Sequence, residues 1–339
     1  MDDQVRSLPV SSWPQADREA WEQACRPSMR LKRGGAACRM KPKTQATHVR
    51  GYGYFLDHCR RHGQLEEGAA ASLITAPRVE HFLAELRDRV GSVTQWSYMQ
   101  RIRRVSEILA PLRDFGWLRD VEADLRDVAR PRPKYPRIVD GERLLRLGLE
   151  LMDRGEAREQ SRPFERSRLV RNGLMIALLA LCPIRLGNLH SLRLDKQIRK
   201  IGDQWWFILP ADETKSGRPD ERPIHHILTP YIDRWVGQWR DVVPNIDDHF
   251  WPSINGGRLA YTYVGTIITE TTRRELGIPV NPHLFRDCCV YTVAERAGSQ
   301  MGVASGLLQH VDSRVTEKYY NKGASFEAAH RYQAILLSD

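Results

Sequence analysis

Little in this sequence would place the chain in a membrane, a secretory pathway or a metal-ribbon fold. No apolar stretch approaches the ~20 residues that a membrane helix needs; the longest, Leu174 to Ile184, is interrupted by Pro183. The start, Met1-Asp2-Asp3, lacks the basic and apolar regions of a signal peptide. Cysteine is scarce: the six residues include no Cys-x-x-Cys pair, and Cys288 and Cys289 are adjacent in a predicted helix, where they could not easily bridge. They read as reduced core thiols, which excludes a disulfide scaffold and leads to the expectation of a cytoplasmic protein. His225 and His226 with His249 might suggest a metal, but no second acidic or cysteine pair lies at ligand spacing, so neither a metal nor another cofactor is expected.

What the chain does have is positive charge. Its 339 residues carry 52 Lys plus Arg against 42 Asp plus Glu, a formal +10 with a pI near 9.5. That length suits two domains and that charge favours polyanions, although charge alone also describes an ordinary basic enzyme. Residues 1–43, with Pro9, Pro14, Pro27 and the basic stretch Arg30 to Gly35, suggest a partly flexible N-terminal arm.

From residue 44 to 128 the spacing predicts helices. Tyr52, Phe55, Leu56 and Cys59 form one apolar stripe, and Val79, Phe82, Leu83, Leu86 and Val90 another, begun by Thr75 and Pro77. A third helix after Ser92 has Ile102, Val105, Leu109 and Leu112 on one side, with Arg101, Arg103 and Arg104 elsewhere on its surface as candidate DNA-backbone contacts. Such a run is more usually just a solvated face. Residues 129–137 read as an extended linker, because Pro131, Pro133 and Pro136 alternate with Arg130, Arg132 and Lys134; Arg132 and Lys134 suit a segment crossing a DNA backbone. Helices resume from 138 to 339 around one β stretch, Trp205–Leu209 and Arg222–Ile227, which flanks a turn containing Gly217, Pro219 and Asp220 and entered by Lys215. Trp235 and Trp239, at i and i+4, read as a packing stripe.

The last third carries the chemistry. Asn281 can cap a helix and Pro282 fits its first turn, so His283 and Arg286, at i and i+3, share one face of a helix start that also directs free N–H groups and a positive dipole outward. The apolar run ending at Ile184 delivers Arg185. Leu307-Leu308-Gln309-His310 follows, and Tyr319-Tyr320 lies about two turns beyond a helix start at Val311-Asp312-Ser313. Two guanidinium groups can stabilise the charge that grows on a phosphodiester attacked in line, taking the place of metal ions. A phenol with a pKa of about 10 needs a base or a cationic field to attack at neutral pH, and histidine is suited to moving that proton.

These residues resemble the tyrosine recombinases, also called phage integrases, and the resemblance covers most of the chain. Pro183 to Leu192 looks like the family's first-arginine stretch, His283 to Arg286 its His-x-x-Arg box, and Leu308-Gln309-His310 its Leu-Gly-His segment; Tyr319, nine positions after His310, matches the nucleophile. Lys215 matches a lysine on a β-hairpin turn, the family's general acid. Asn188, Asp287 and Gln309 depart from the family pattern, which commonly has an acid, a histidine and a glycine there. The resemblance implies a mainly α fold with a small antiparallel β-sheet: a helical, SAM-like core-binding domain over 44–128 and a mixed α/β catalytic domain over 138–339 with a C-terminal tail helix. It implies a catalytic set of Arg185, Lys215, His283, Arg286, His310 and Tyr319, and cutting and rejoining of DNA through a 3′-phosphotyrosyl intermediate without metal, ATP or cofactor. The implied partners are double-stranded DNA recombination sites of a mobile element or replicon, other copies of the chain as a tetramer on DNA, and accessory recombinases; the location would be nucleoid-associated. The tail's Phe326, Ala329, Tyr332, Ile335 and Leu336 suit docking on a neighbour or packing on their own domain. A type IB topoisomerase, a telomere-resolving enzyme or a catalytically silent DNA-binding accessory protein would share much of this pattern.

Overall fold

The computed structural model describes residues 6–31, 34–158, 160–214, 217–243, 247–296 and 306–308. The chain divides into two compact units, Met1–Arg132 and Pro133–Asp339.

The first unit is helical: α1 (Gln15–Cys25), α2 (Pro42–Arg61), α3 (Ala76–Arg89), α4 (Ser92–Leu109) and α5 (Gly116–Val128). Helical spacing places Tyr52, Phe55, Leu56 and Cys59 on one face of α2, and all four are fully buried. They meet Val79, Phe82, Leu83 and Leu86 of α3 and Met99, Ile102, Val105 and Leu109 of α4 in one core; the Phe55 and Phe82 rings pack edge to face at 5.6 Å. Leu112 does not join the stripe. The α4 helix ends at Leu109, so the helical period no longer applies and Leu112 is fully exposed.

Five residues of the segment expected as a partly flexible arm enter this core. Leu8, Trp13, Trp21, Ala24 and Ala37 are buried in it, and the Trp13 ring lies 4.9 Å from Tyr52. Asp17, 2% exposed, accepts the Tyr52 hydroxyl at 2.7 Å and the Ala71 N–H at 2.6 Å. Ala71 has a φ of 57°, a conformation unfavourable for any residue with a Cβ. The charged acceptor helps to hold it there.

The second unit contains α6 (Gly141–Ala157), α7 (Pro163–Leu181), α8 (Leu186–Ser191), β1 (Ile198–Ile201), β2 (Gln204–Leu209), β3 (Asp220–Pro223), α9 (Thr229–Arg234), α10 (Tyr261–Leu276) and α11 (Leu284–Arg296). Asp140 caps α6 by accepting the Glu142 N–H at 2.8 Å. Helices α6 and α7 come into backbone contact at Gly148 and Gly173: a Cβ on Gly148 would lie 2.7 Å from the Ala177 nitrogen and 2.8 Å from the Gly173 carbonyl. The sequence of α7 is apolar all round from Leu174 onward, and its residues to Leu179 are fully buried.

The three strands form an antiparallel sheet in the order β1-β2-β3. Period-2 alternation along β2 turns Trp205, Phe207 and Leu209 inward. The expected strand over 222–227 is displaced: β3 spans Asp220–Pro223, and the chain turns into a 3-10 helix at His226–Leu228. Pro223 has no N–H with which to extend the ladder. Trp235 and Trp239, in a π-helical turn after α9, are both buried, Trp235 against Phe250 and Trp251 and Trp239 under Arg166. Among the described residues no helix is long and apolar enough to cross a membrane. The fold is thus mainly α with a small antiparallel sheet.

Candidate active site

The buried helix α7 ends at Leu181, and Cys182, Pro183 and Ile184, all buried, carry the chain to Arg185, the N-cap residue of α8. On the other side, the Asn281 side chain accepts the Leu284 N–H at 3.0 Å and so caps α11, the helix start expected there. Arg286 lies in its first turn, 7% exposed, and joins the two regions: Nη1 donates to the Pro183 carbonyl at 2.7 Å, two residues before Arg185, and Nη2 donates to the Leu308 carbonyl at 2.5 Å. His283 stands one turn earlier, at the edge of the same corner.

The electrostatics of this corner are those of an excess of cations. Burial, then Arg185 and Arg222, pushes the Arg286 guanidinium down to about 10. Burial, then Lys134, Arg286 and Arg185, lowers the pKa of His283 against the opposing influence of Asp287. These influences favour the neutral His283 imidazole, which has a lone pair available for a proton, while Arg286, at about 10, keeps its charge at pH 7. A corner where cations crowd a partly buried guanidinium is poised for an anion.

Two residues take positions that the sequence did not indicate. Arg222, on β3, is held by Asp220, whose carboxylate accepts its Nε–H at 2.7 Å, and Nη1 donates to the Leu307 carbonyl at 2.9 Å. Arg222 and Arg286 thus grip successive carbonyls, those of Leu307 and Leu308, just ahead of His310 in the sequence. Leu308 itself packs against Val290 and Ala294 of α11. Alternation along β3 was the only sequence signal for Arg222, and a strand arginine beside an acidic residue resembles a solvated pair. Lys134, expected as a DNA contact of the linker, has its Nζ 2.9 Å from Asp287 Oδ2, one of the positions departing from the family pattern. A cation from the segment preceding α6 thereby reaches the helix that carries His283 and Arg286.

Of the other expected residues, Arg101 lays its stem against Gly51, and its guanidinium lies 5.6 Å from the Tyr98 ring centre. Arg103 pairs with Glu107 at 2.9 Å and with Glu122, which links α4 to α5. Arg104 is half exposed, with Glu107 3.9 Å away, and Arg132 is exposed. His190 packs after the Arg185 turn, its Nε2–H donating to the Leu259 carbonyl at 2.9 Å. His225 caps its own 3-10 turn, and His249 pairs with Asp247 at 2.5 Å. Lys215, His310, Tyr319 and the tail residues Phe326 to Leu336 lie outside the described residues.

No family model matches the chain, and neither does any curated protein. Solved structures do. The chain is similar to the XerH site-specific recombinase bound to difH substrate in a pre-cleavage complex, with 14% identity over 85% of this chain and 79% of that one and a TM-score of 0.55. It is also similar to a lambda integrase dimer bound to a COC' core site, with 14% identity over 93% of this chain and 78% of that one and a TM-score of 0.52. The chain has the tyrosine recombinase fold.

Proposed function

We propose that this chain is a site-specific DNA recombinase that cuts and rejoins double-stranded DNA through a covalent tyrosyl intermediate. The observation that carries the proposal is the convergence of Arg185, His283 and Arg286 at one corner: Arg286 is anchored two residues from Arg185, and each arginine disfavours protonation of His283. The fold supports the same reading.

In this reaction the Tyr319 oxygen attacks the scissile phosphorus, and the bond from phosphorus to the 5′ oxygen breaks. His283 takes the phenolic proton, and Lys215 supplies a proton to the leaving 5′ oxygen. Arg185 and Arg286 meet the charge growing on the non-bridging oxygens, and His310 hydrogen-bonds one of them. The product is a 3′-phosphotyrosyl link with a free 5′ hydroxyl. The link retains the phosphodiester energy, so a 5′ hydroxyl from a second duplex can reverse the chemistry onto a new partner without ATP or metal. Residues 44–128, with Arg101, Arg103 and Arg104, and the segment bearing Arg132 and Lys134 serve as DNA-binding elements beside a catalytic domain over 138–339. Strand exchange requires two duplexes and four active tyrosines, hence a tetramer on DNA. The protein works where the DNA is, in the cytoplasm at the nucleoid.

The test is covalent trapping. Duplexes selected by the protein from a random pool are rebuilt with a nick beside the cleavage position, so that the 5′ fragment diffuses away. The native chain should give an adduct that survives denaturation, and Tyr319→Phe should abolish it while sparing DNA binding. Binding without any adduct would overturn the enzymatic reading in favour of a DNA-binding accessory protein, and loss of the adduct only in Tyr320→Phe would move the nucleophile by one residue.

A further inference from the structure

A cluster of imidazoles in the first unit lies apart from everything assigned to DNA chemistry. Helix α2 carries His58 and His62 at i and i+4, and α3 carries His81 and Glu85 at the same spacing, so each helix presents a pair along one face. These faces meet. Ring centroids are 4.5 Å apart for His58 and His62, 4.9 Å for His58 and His81, and 4.5 Å for His62 and His81. One ring nitrogen from each of the three lies within 4.8 Å of the other two.

His58 is fully buried, whereas His62 and His81 are exposed. The His58 Nδ1–H donates to Glu85 Oε2 at 2.6 Å, which fixes the tautomer and leaves Nε2 with a lone pair. Among the described residues that buried Nε2 has no hydrogen-bond partner. Buried polar atoms in proteins nearly always have one. A histidine held through one nitrogen by a carboxylate, with the other nitrogen free, is arranged as a metal ligand with its orienting partner.

We propose that His58, His62 and His81 bind one divalent transition-metal ion of the zinc class, with Glu85 orienting His58, and that the ion joins α2 to α3. The donor set selects the class. Asp57 and Glu85 already face Arg60, Arg61 and Arg89, so affinity must come from imidazole nitrogens, which suit zinc, copper or nickel and not calcium or magnesium. Tetrahedral zinc, at about 2.0–2.1 Å from each nitrogen, needs its ligands roughly 3.3 Å apart. The closure from 4.8 Å falls to the His62 and His81 side chains, both exposed. Three nitrogens leave the fourth position to water.

The test uses the full-length, tag-free chain after chelator treatment. Calorimetric titration with zinc chloride should show one ion per chain, and cobalt(II) should give the visible bands of a tetrahedral complex. Excess zinc should raise the first melting transition by about 5 °C or more. His62→Gln and His81→Gln, both at exposed positions, should each weaken zinc binding at least tenfold, Glu85→Gln should weaken it about tenfold, and His249→Gln should leave it unchanged. Absence of uptake would overturn the proposal and make the cluster a stack of packed rings. Uptake that persists in the His62→Gln/His81→Gln double variant would overturn it equally, by placing the ion elsewhere.

Discussion

Replacing Arg222 with alanine tests whether its grip on the Leu307 carbonyl matters to the chemistry. The side chain makes two kinds of contact: an ion pair with Asp220, and a hydrogen bond from Nη1 to the Leu307 carbonyl at 2.9 Å. A hydrogen bond from a charged donor contributes about 1.5–3 kcal/mol. If the segment it holds must be in place when Tyr319 attacks, the whole of that loss falls on the transition state. At about 1.4 kcal/mol per tenfold in rate, cleavage then slows roughly 12- to 140-fold. Removing the charge acts in the same direction, because Arg222 is one of the cations that push Arg286 down and so belongs to the field offered to the phosphate.

Stability must be separated from rate. Without Arg222 the Asp220 carboxylate, 12% exposed, would lose its guanidinium partner, and a stranded carboxylate destabilises the fold for reasons unrelated to catalysis. The Asp220→Asn/Arg222→Ala double variant removes that penalty. Its melting temperature should recover towards the native value while its cleavage rate stays low. The assay is single-turnover trapping on a nicked duplex at protein concentrations that saturate the DNA, with gel shifts reporting affinity separately. A single Arg222→Ala variant that forms adduct within threefold of the native rate would refute the reasoning, and a double variant that recovers both rate and stability would reduce Arg222 to a partner for Asp220.

Asp17→Ala should cost about 2–4 kcal/mol, since it strands the buried Tyr52 hydroxyl and the Ala71 N–H; thermal unfolding should show the loss, and protease should newly cut within residues 8–25. The trapping rate should rise with pH through a midpoint below 6.5, where neutral His283 accumulates, and then stay flat to about pH 8, because burial and three neighbouring cations lower its pKa. Asp287 is the opposing influence, so Asp287→Asn should move that acid limb to lower pH; a shift to higher pH would show that another group controls it. Gly148→Ala should destabilise the second unit by about 1–3 kcal/mol, because its new methyl meets the α7 backbone, and a melt unchanged from native would contradict that packing.

How far the sequence could be read depended on the distance to a residue's partner. The stripes Tyr52-Phe55-Leu56-Cys59 and Val79-Phe82-Leu83-Leu86 were legible because helical periodicity is local, and the core they enter follows from it. Arg185, His283 and Arg286 could be singled out as candidates because their chemistry is distinctive in that order, and the structure brings all three to one corner. Asp17 was not legible, since its partners lie 35 and 54 positions away and nothing near it signals a buried acceptor. The prolines of its segment suggested a flexible arm, yet in a chain pinned at Asp17 and packed at Trp13 and Trp21 the same prolines restrict the unfolded state and favour order. Arg222 stayed hidden for a related reason: its link to Leu307 spans 85 positions and joins a strand to a helical turn. The imidazoles are an intermediate case. His58 and His62, and His81 and Glu85, are each visible as i, i+4 pairs, but neither pair specifies a ligand set until α2 and α3 are packed together. His225, His226 and His249, neighbours in sequence or type, do not form such a set. The residues that meet in space are those whose helices share a core, so local pattern predicts the helices, and only their packing can nominate the site.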